Sequence, residues 1–345
     1  MSKLLEAWHL DGETSYLHAR ASGDRVFALG AASELIAVDV REARVLWRHP
    51  AGALSIRAFA LGEHLFAAGR RDEQLRLLAL DPTTGEVAWD VRIEARRVGR
   101  VFTNDRGRVF VAVHQAGRLA LEVRAQEDGA LIDTVRLERS RLMVSRNGAY
   151  AWTRDSEGIT ELQLITGEVR KTHLGANGFM LEVDDGLVLG VGTRVVRLAQ
   201  GEVRWMQEVP PRDLTPVAIA DGLGDERDVW DAELGRPVRF GSRVVVPALN
   251  GTLHAFDLAT GQPGWTVESA HYPSARRVAA PATIDVAGRE HLIFPASDEE
   301  LYLVDDEGGV HARHELPLPF ENVALGVGST AVLPFAGLRG YVVEP

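Results

Sequence analysis

Arginine side chains recur at one place in a repeating pattern, at the junction between the last strand-like segment of one repeat and the first of the next. The residues there are Arg57, Arg97, Arg100, Arg141, Arg276 and Arg277, with His18 in a similar position. Guanidinium groups bind carboxylates and phosphates through paired hydrogen bonds, and basic side chains gathered in a concave site concentrate positive potential there. The pattern therefore predicts a site for a carboxylate, a phosphate or an acidic peptide. The alternative is that these arginines pair with Asp and Glu side chains of neighbouring loops.

A second candidate binding element is a segment that makes the sixth repeat longer than the others, residues 221–239. It holds Trp230 and Leu234, four residues apart and among acidic residues. Side chains at this spacing share one side of a helical turn, and inserted loops with an apolar anchor often contact partners. We expect the segment between the first and second strands of its sheet, on the face opposite the arginines. The alternative is that Trp230 folds back onto that sheet.

Other residue types predict no catalytic group, no cofactor and no metal site. The chain has no Cys, which excludes disulfides, thiolate metal sites and Cys nucleophiles. His311 and His314 lie three residues apart on a predicted strand, so they point to opposite faces. The acidic run at residues 305–309 fits a hairpin turn better than a calcium site. Residues 326–331 loosely match a dinucleotide-binding pattern but precede a strand, not a helix.

Composition limits the classes of partner. With 345 residues and a formal net charge of −11, the chain lacks the broad basic face of a general nucleic-acid binder. No apolar stretch approaches the roughly 20 residues of a membrane helix, so we predict neither nucleic-acid binding nor membrane insertion. The first residues do not resemble a signal peptide. This predicts a cytoplasmic protein if Met1 is the native start, and a periplasmic one if a leader was trimmed.

The repeats themselves define the architecture. In each, a short apolar run leads into a turn with a Gly or its substitute, and the clearest copies have a Trp four residues later. Residues 79–89 and 255–265 share Ala, Asp, Thr, Gly and Trp at identical spacing. The turn markers are Ala43, Gly85, Gly129, Gly167, Gly201, Gly261 and Gly309. Four strand-like segments in each unit of about 40–45 residues are typical of a β-propeller blade.

The two ends of the chain complete one another. Trp8 lies in a last-strand sequence without a third strand before it, and residues 340–345 form a third strand without a last one after it. The sequence therefore predicts an all-β, eight-bladed β-propeller with four antiparallel strands per blade. We expect a single domain over residues 1–345, with its last blade shared between residues 1–10 and 321–345.

The Ala-x-Asp-x-x-Thr-Gly-x-x-x-Trp spacing resembles the repeat of pyrroloquinoline-quinone-type propellers. That family includes quinoprotein alcohol dehydrogenases and the propeller lipoprotein of outer-membrane protein assembly. The resemblance implies that each Trp packs between the small residue of one repeat and the Gly peptide of its neighbour. This gives a structural, blade-joining role to Trp8, Trp47, Trp89, Trp205 and Trp265. Asp133, Lys171 and Arg313 take the Trp place in the third, fourth and seventh repeats, so we expect looser packing there.

The resemblance also implies a function. Quinoprotein enzymes of the family typically carry a signal peptide, often a vicinal Cys pair, and a calcium site, and this sequence matches none of these. It therefore disfavours a quinone-dependent dehydrogenase and favours a non-catalytic scaffold that binds a protein or peptide partner within a larger assembly. An envelope assembly factor would need an export signal. The alternative is a binder or enzyme for a small anionic ligand, such as an acidic sugar or phosphate compound, at an Arg-lined channel mouth.

Overall fold

The structure is a computed structural model that describes most of the chain. The described residues are 3–10, 16–30, 33–49, 55–115, 118–137, 141–145, 147–154, 158–164, 166, 168–174, 178–210, 234–248, 251–269, 280–296, 300–316, 324–334 and 337–344. Within them the chain forms β-strands and turns, with no helix.

The strands, in chain order, are β1 (Lys3–Leu10), β2 (Tyr16–Ser22), β3 (Arg25–Gly30), β4 (Leu35–Asp39), β5 (Arg44–His49), β6 (Ser55–Leu61), β7 (Leu65–Arg71), β8 (Gln74–Leu80), β9 (Val87–Ile93), β10 (Arg97–Thr103), β11 (Arg108–Gln115), β12 (Arg118–Ala125), β13 (Leu131–Leu137), β14 (Arg141–Val144), β15 (Tyr150–Arg154), β16 (Gly158–Gln163), β17 (Val169–His173), β18 (Gly178–Val183), β19 (Gly186–Val191), β20 (Arg194–Ala199), β21 (Glu202–Glu208), β22 (Val238–Phe240), β23 (Arg243–Pro247), β24 (Thr252–Asp257), β25 (Pro263–Glu268), β26 (Ala282–Val286), β27 (Arg289–Pro295), β28 (Glu300–Val304), β29 (Val310–Glu315), β30 (Leu325–Val327), β31 (Thr330–Pro334) and β32 (Leu338–Glu344).

These strands form eight four-stranded sheets, and the pairs with a described register are all antiparallel. We number the sheets as blades. Blades 1 to 7 are β2–β5, β6–β9, β10–β13, β14–β17, β18–β21, β22–β25 and β26–β29, and blade 8 is β30–β32 with β1. Seven blades thus follow chain order, and the eighth combines strands from both ends. The prediction of an eight-bladed β-propeller fold is confirmed.

The two middle strands of each blade carry the core. In blade 2, Leu65, Phe66 and Ala67 of β7 are consecutive and fully buried, as are Leu77 and Leu78 of β8. A strand covered on both faces needs apolar residues at consecutive positions, not at alternate ones. The apolar runs of the sequence are therefore explained by sheets packed face to face.

Buried clusters join consecutive blades. One joins Phe27 of blade 1 to Leu78 of blade 2, and another joins Leu77 of blade 2 to Val111 of blade 3. Further clusters join blades 3 and 4, 5 and 6, 6 and 7, and 7 and 8. Each blade depends on its neighbours for part of its core.

The chain ends meet in blade 8, where β1 lies beside β32. Glu6 of β1 accepts hydrogen bonds from Arg339 Nη1 at 2.7 Å and from the Tyr341 hydroxyl at 3.2 Å. The carbonyl of Leu4 lies 3.0 Å from Nδ1 of His314 in blade 7. The predicted pairing of the N-terminal strand with the C-terminal strands is confirmed.

By internal contacts the chain divides into two compact units. The N-terminal unit is His9–Gly175 with Ala336–Leu338, and it holds blades 1 to 4. The C-terminal unit is Met1–Trp8, Ala176–Phe335 and Arg339–Pro345, and it holds blades 5 to 7 and most of blade 8. The expectation of a single domain over residues 1–345 stays a prediction.

Two sequence expectations are corrected by the structure. The long segment of the sixth repeat does not follow the first strand of its blade: residues 211–233 lie between β21, the last strand of blade 5, and β22, the first of blade 6. The reason is that β22 is a strand of only three residues, too short for its apolar pattern to be recognised. In blade 7 the turn residue with positive φ is Gly308 (87°), so Ala312, opposite Leu303, takes the Trp place assigned to Arg313.

Candidate functional site

Four tryptophans contact the turn of the following blade. The indole Nε1 groups of Trp47, Trp89, Trp205 and Trp265 donate to Pro82 O, Gln126 O, Leu258 O and Asp306 O at 3.2, 2.9, 3.1 and 2.8 Å. Each ring also covers a glycine of that turn: Gly85, Gly129, Gly261 and Gly308 respectively. These Trp contacts hold neighbouring blades together through both a hydrogen bond and ring packing. Trp8 differs, because its described contact is with Gly340 on the adjacent strand of its own blade.

The turns that receive the tryptophans are shaped by Asp. In blade 2, Asp81 Oδ1 accepts hydrogen bonds from the backbone N–H groups of Thr83 and Thr84 at 2.7 and 2.8 Å. These bonds stabilise the charged carboxylate and lower the pKa of Asp81. Asp257 makes the same turn in blade 6, where Thr260 lowers its pKa through side-chain and backbone bonds. The Asp and Thr of the repeat thus build a turn, not a catalytic pair.

Blades 3 and 4 lack the Trp and use buried polar pairs. In blade 3, Glu122 and Arg124 are buried and form an ion pair at 2.7 Å, while Arg124 also donates to Gly129 O. In blade 4, Trp152 Nε1 donates to the buried Glu161 carboxylate at 2.8 Å. The β16–β17 pairing runs without a bulge, unlike the last described pair in blades 1 to 3. Blade 4 is therefore built differently from its neighbours.

The predicted arginines lie on the first strands of the blades. Arg57 is on β6, Arg97 and Arg100 are on β10, and Arg141 begins β14. The first three are exposed. Strand β10 comes within 8 Å of β6 and β14, and β2 within 8 Å of β6, measured between Cα atoms. The structure thus brings these strands together in the N-terminal unit, while Arg276, Arg277 and Trp230 lie outside the described residues.

His18 and Arg20 belong to the same group on β2. Desolvation of the imidazole, then the positive charges of Arg20 and Arg100, lower the pKa of His18. The charge of Arg100, on β10 of blade 3, thus affects the pKa of a side chain on β2 of blade 1. The sequence reasoning missed Arg20, although it alternates with His18 along one strand and could have been found from the period of two.

The outer strands of blades 3 and 4 expose apolar side chains. Leu131 and Ile132 of β13 are 54% and 48% exposed, and Val169 of β17 is 60% exposed. The two blades share a buried cluster, so β13 and β17 are the last strands of adjacent, packed sheets. The sequence reasoning missed this surface. No local sequence signal marks this surface, because an apolar residue follows the turn at the same place in blades 2 and 5, where Val87 and Val203 are also exposed.

Among the described residues, no group of three or more His, Cys, Asp and Glu side chains is placed to hold a metal ion. In that same part of the chain, no helix is long and apolar enough to span a membrane.

Eight four-stranded blades with Asp turns and Trp contacts define a pyrroloquinoline-quinone-type repeat β-propeller, which confirms the resemblance read from the sequence. A family model described as "Outer membrane protein assembly factor BamB" matches residues 6–173 and 143–343, so the chain belongs to that family. Among curated proteins, no sequence matches significantly.

Solved structures agree on the fold. BamB from Moraxella catarrhalis is similar at 14% identity and a TM-score of 0.66, covering 98% of this chain and 99% of that one. Quinohemoprotein alcohol dehydrogenase from Comamonas testosteroni is similar at 12% identity and a TM-score of 0.66, covering 99% of this chain and 76% of that one. The computationally designed Ika8 protein is similar at 14% identity and a TM-score of 0.65, covering 98% of this chain and 99% of that one. Because an assembly factor, an enzyme and a designed protein are equally similar, these likenesses show the fold alone.

Proposed function

We propose that this protein is a non-catalytic scaffold that binds a protein partner within a larger assembly, using the outer strands of blades 3 and 4. The observation that carries the proposal is the exposure of Leu131, Ile132 and Val169 on the last strands of two adjacent blades. Exposed apolar side chains grouped on neighbouring elements of a folded surface are a feature of protein-binding sites. The family description, an assembly factor, supports the same class of function.

The edge position of these strands adds a means of binding. Strands β13 and β17 are terminal in their sheets, so a partner strand can pair with their backbone while its side chains meet the apolar ones. The pairing of β17 is free of bulges, which otherwise twist an edge away from such contacts.

The proposal is tested by affinity purification from the native organism, followed by reconstitution with the purified partner. We expect one stoichiometric partner, whose affinity falls at least about tenfold when Leu131→Glu and Val169→Glu are combined. The matched control is Val87→Glu, on the outer strand of blade 2, where Val87 is 47% exposed. Equal binding by the double variant and the control would refute this surface.

The sequence prediction that the arginines contact the partner needs its own variants, Arg57→Glu and Arg97→Glu. If only these variants lose the partner, the binding surface lies on the first strands of the blades, and the scaffold function is still supported. The absence of any stable protein partner for the wild-type protein would refute the function itself.

A further inference from the structure

Positive charge is concentrated on the first strands of the N-terminal unit. Strands β2, β6, β10 and β14 carry no Asp or Glu, and their basic residues are His18, Arg20, Arg57, Arg97, Arg100 and Arg141. The first strands of blades 5 to 7 instead carry Glu182, Arg239 and Asp285, one each. In a protein of net charge −11, random placement would not favour four neighbouring strands with only basic residues. The segregation calls for a reason.

Three of these strands have an irregular register at or directly before a basic residue. In β6 the register passes from Ile56↔Gly69 to Ala58↔Ala68, which leaves Arg57 as an extra residue. In β10 the register passes from Val98↔Val113 to Val101↔Val111, so Arg100 lies in the bulge. A third irregularity in β2 directly precedes His18. Bulges redirect side chains and are common beside binding sites.

The arginines are positioned by different means. Arg100 Nη1 reaches Leu142 O on β14 at 3.5 Å, and Arg20 Nη1 donates to Ala19 O at 3.1 Å. Arg57 and Arg97 have no side-chain hydrogen bond or ion pair with any residue that the structure describes. The alternative read from the sequence, pairing with acidic loops, therefore finds no support for these two within the described ranges.

We propose that the first strands of blades 1 to 3 form a binding site for a small polyanion that carries phosphate or carboxylate groups. Guanidinium groups match both chemistries through paired hydrogen bonds. Several cations on strands that lie side by side suit a compact ligand with two or more negative groups. The acidic charge of the whole protein disfavours a long nucleic acid, which would extend beyond these short strands.

The test is isothermal titration calorimetry of the full chain at low ionic strength, with inorganic pyrophosphate and citrate as probes. We expect saturable binding of at least one probe that weakens as salt is added. Binding of pyrophosphate alone would assign the site to phosphates, and binding of citrate alone to carboxylates. The affinity should fall at least about tenfold in Arg57→Glu, because a charge-assisted hydrogen bond is lost and a repulsive charge is added.

The matched control is Arg136→Glu, an exposed arginine on the outer strand β13, with thermal melting to verify that both variants fold. Equal affinity in Arg57→Glu and Arg136→Glu, or no saturable binding of either probe, would overturn the proposal. This site does not depend on the proposed scaffold function, because the Leu131→Glu and Val169→Glu double variant should bind the anion normally.

His18 supplies a second readout. The charged groups on the strands packed against β2 are Arg25 on β3 and Arg57 on β6, in addition to Arg20 and Arg100. Arg25 is already engaged with Pro82 O and Thr83 Oγ1. Desolvation, then the charges of Arg20 and Arg100, lower the pKa of His18. A bound anion offsets these positive charges, so it should raise the pKa of His18 and cause proton uptake on binding. Titrations in buffers of different ionisation enthalpy should detect this uptake in the wild type and not in His18→Gln.

Discussion

Substituting Gly261 by Ala should test how the Trp contacts join blades. Gly261 has φ of 73°, and a Cβ there would lie 2.6–2.9 Å from three atoms of the Trp205 indole. The left-handed conformation costs Ala about 1 kcal/mol, and displacing the packed ring costs about 1–3 kcal/mol more. Losing the Trp205 Nε1 bond to Leu258 O adds about 1 kcal/mol. We expect Gly261→Ala to lower the free energy of unfolding by about 3–5 kcal/mol.

The matched control is Gly288→Ala, with φ of 77° and no atom within 4 Å of the added Cβ. It carries the backbone strain alone, about 1 kcal/mol. Urea unfolding followed by tryptophan fluorescence and circular dichroism would measure both variants. In a Trp205→Leu background, Gly261→Ala should lower the free energy of unfolding by no more than Gly288→Ala does. Equal losses for the two single variants would refute the claim that ring contact, rather than the turn, makes this glycine necessary.

Two further predictions concern buried polar groups. His254 is buried between the hydroxyls of Thr252 and Thr266, and burial lowers its pKa to about 4. The unfolded state takes up a proton near pH 6.5 and the folded state does not, so the free energy of unfolding should fall by about 3 kcal/mol as the pH drops from about 6.5 to about 4. Urea midpoints measured across this range should fall less in His254→Gln. An equal fall in that variant would contradict the assignment of the effect to His254. Arg124→Met should lower the free energy of unfolding by about 3–5 kcal/mol, because Glu122 stays buried and unpaired. The double variant with Glu122→Leu should regain most of that stability in the same urea assay. No regain would show that the unpaired carboxylate is not the cause of the loss.

The sequence predicted the blades well because their signals are local. The apolar run before Asp81, the turn ending at Gly85 and the Trp four residues later all lie within one hairpin. Positive φ at Gly85 and the Asp81 hydrogen bonds follow from residue type. In the seventh repeat the Trp place was assigned one residue too late, because the adjacent Gly308 and Gly309 both fit the turn pattern.

The candidate binding surfaces were less predictable. The exposure of Leu131 and Val169 depends on which residues cover a sheet edge, and no local pattern encodes this. The insertion was assigned to the wrong connection because strand β22 has only three residues. The other arginines were recognised because they recur from repeat to repeat, while Arg20 was overlooked although it lies two residues from His18 on β2.

The sequence by itself determined the repeat, the number of blades and the pairing of the two chain ends, because strand period and turn chemistry act over a few residues. The tertiary structure decided which side chains of different blades come together. Arg57, Arg100 and His18 are far apart along the chain, but β10 and β2 each come within 8 Å of β6, measured between Cα atoms. Each of the three strands also has an irregular register at or directly before one of these residues. A bulge arises from pairing between strands, so the sequence of one strand does not reveal it.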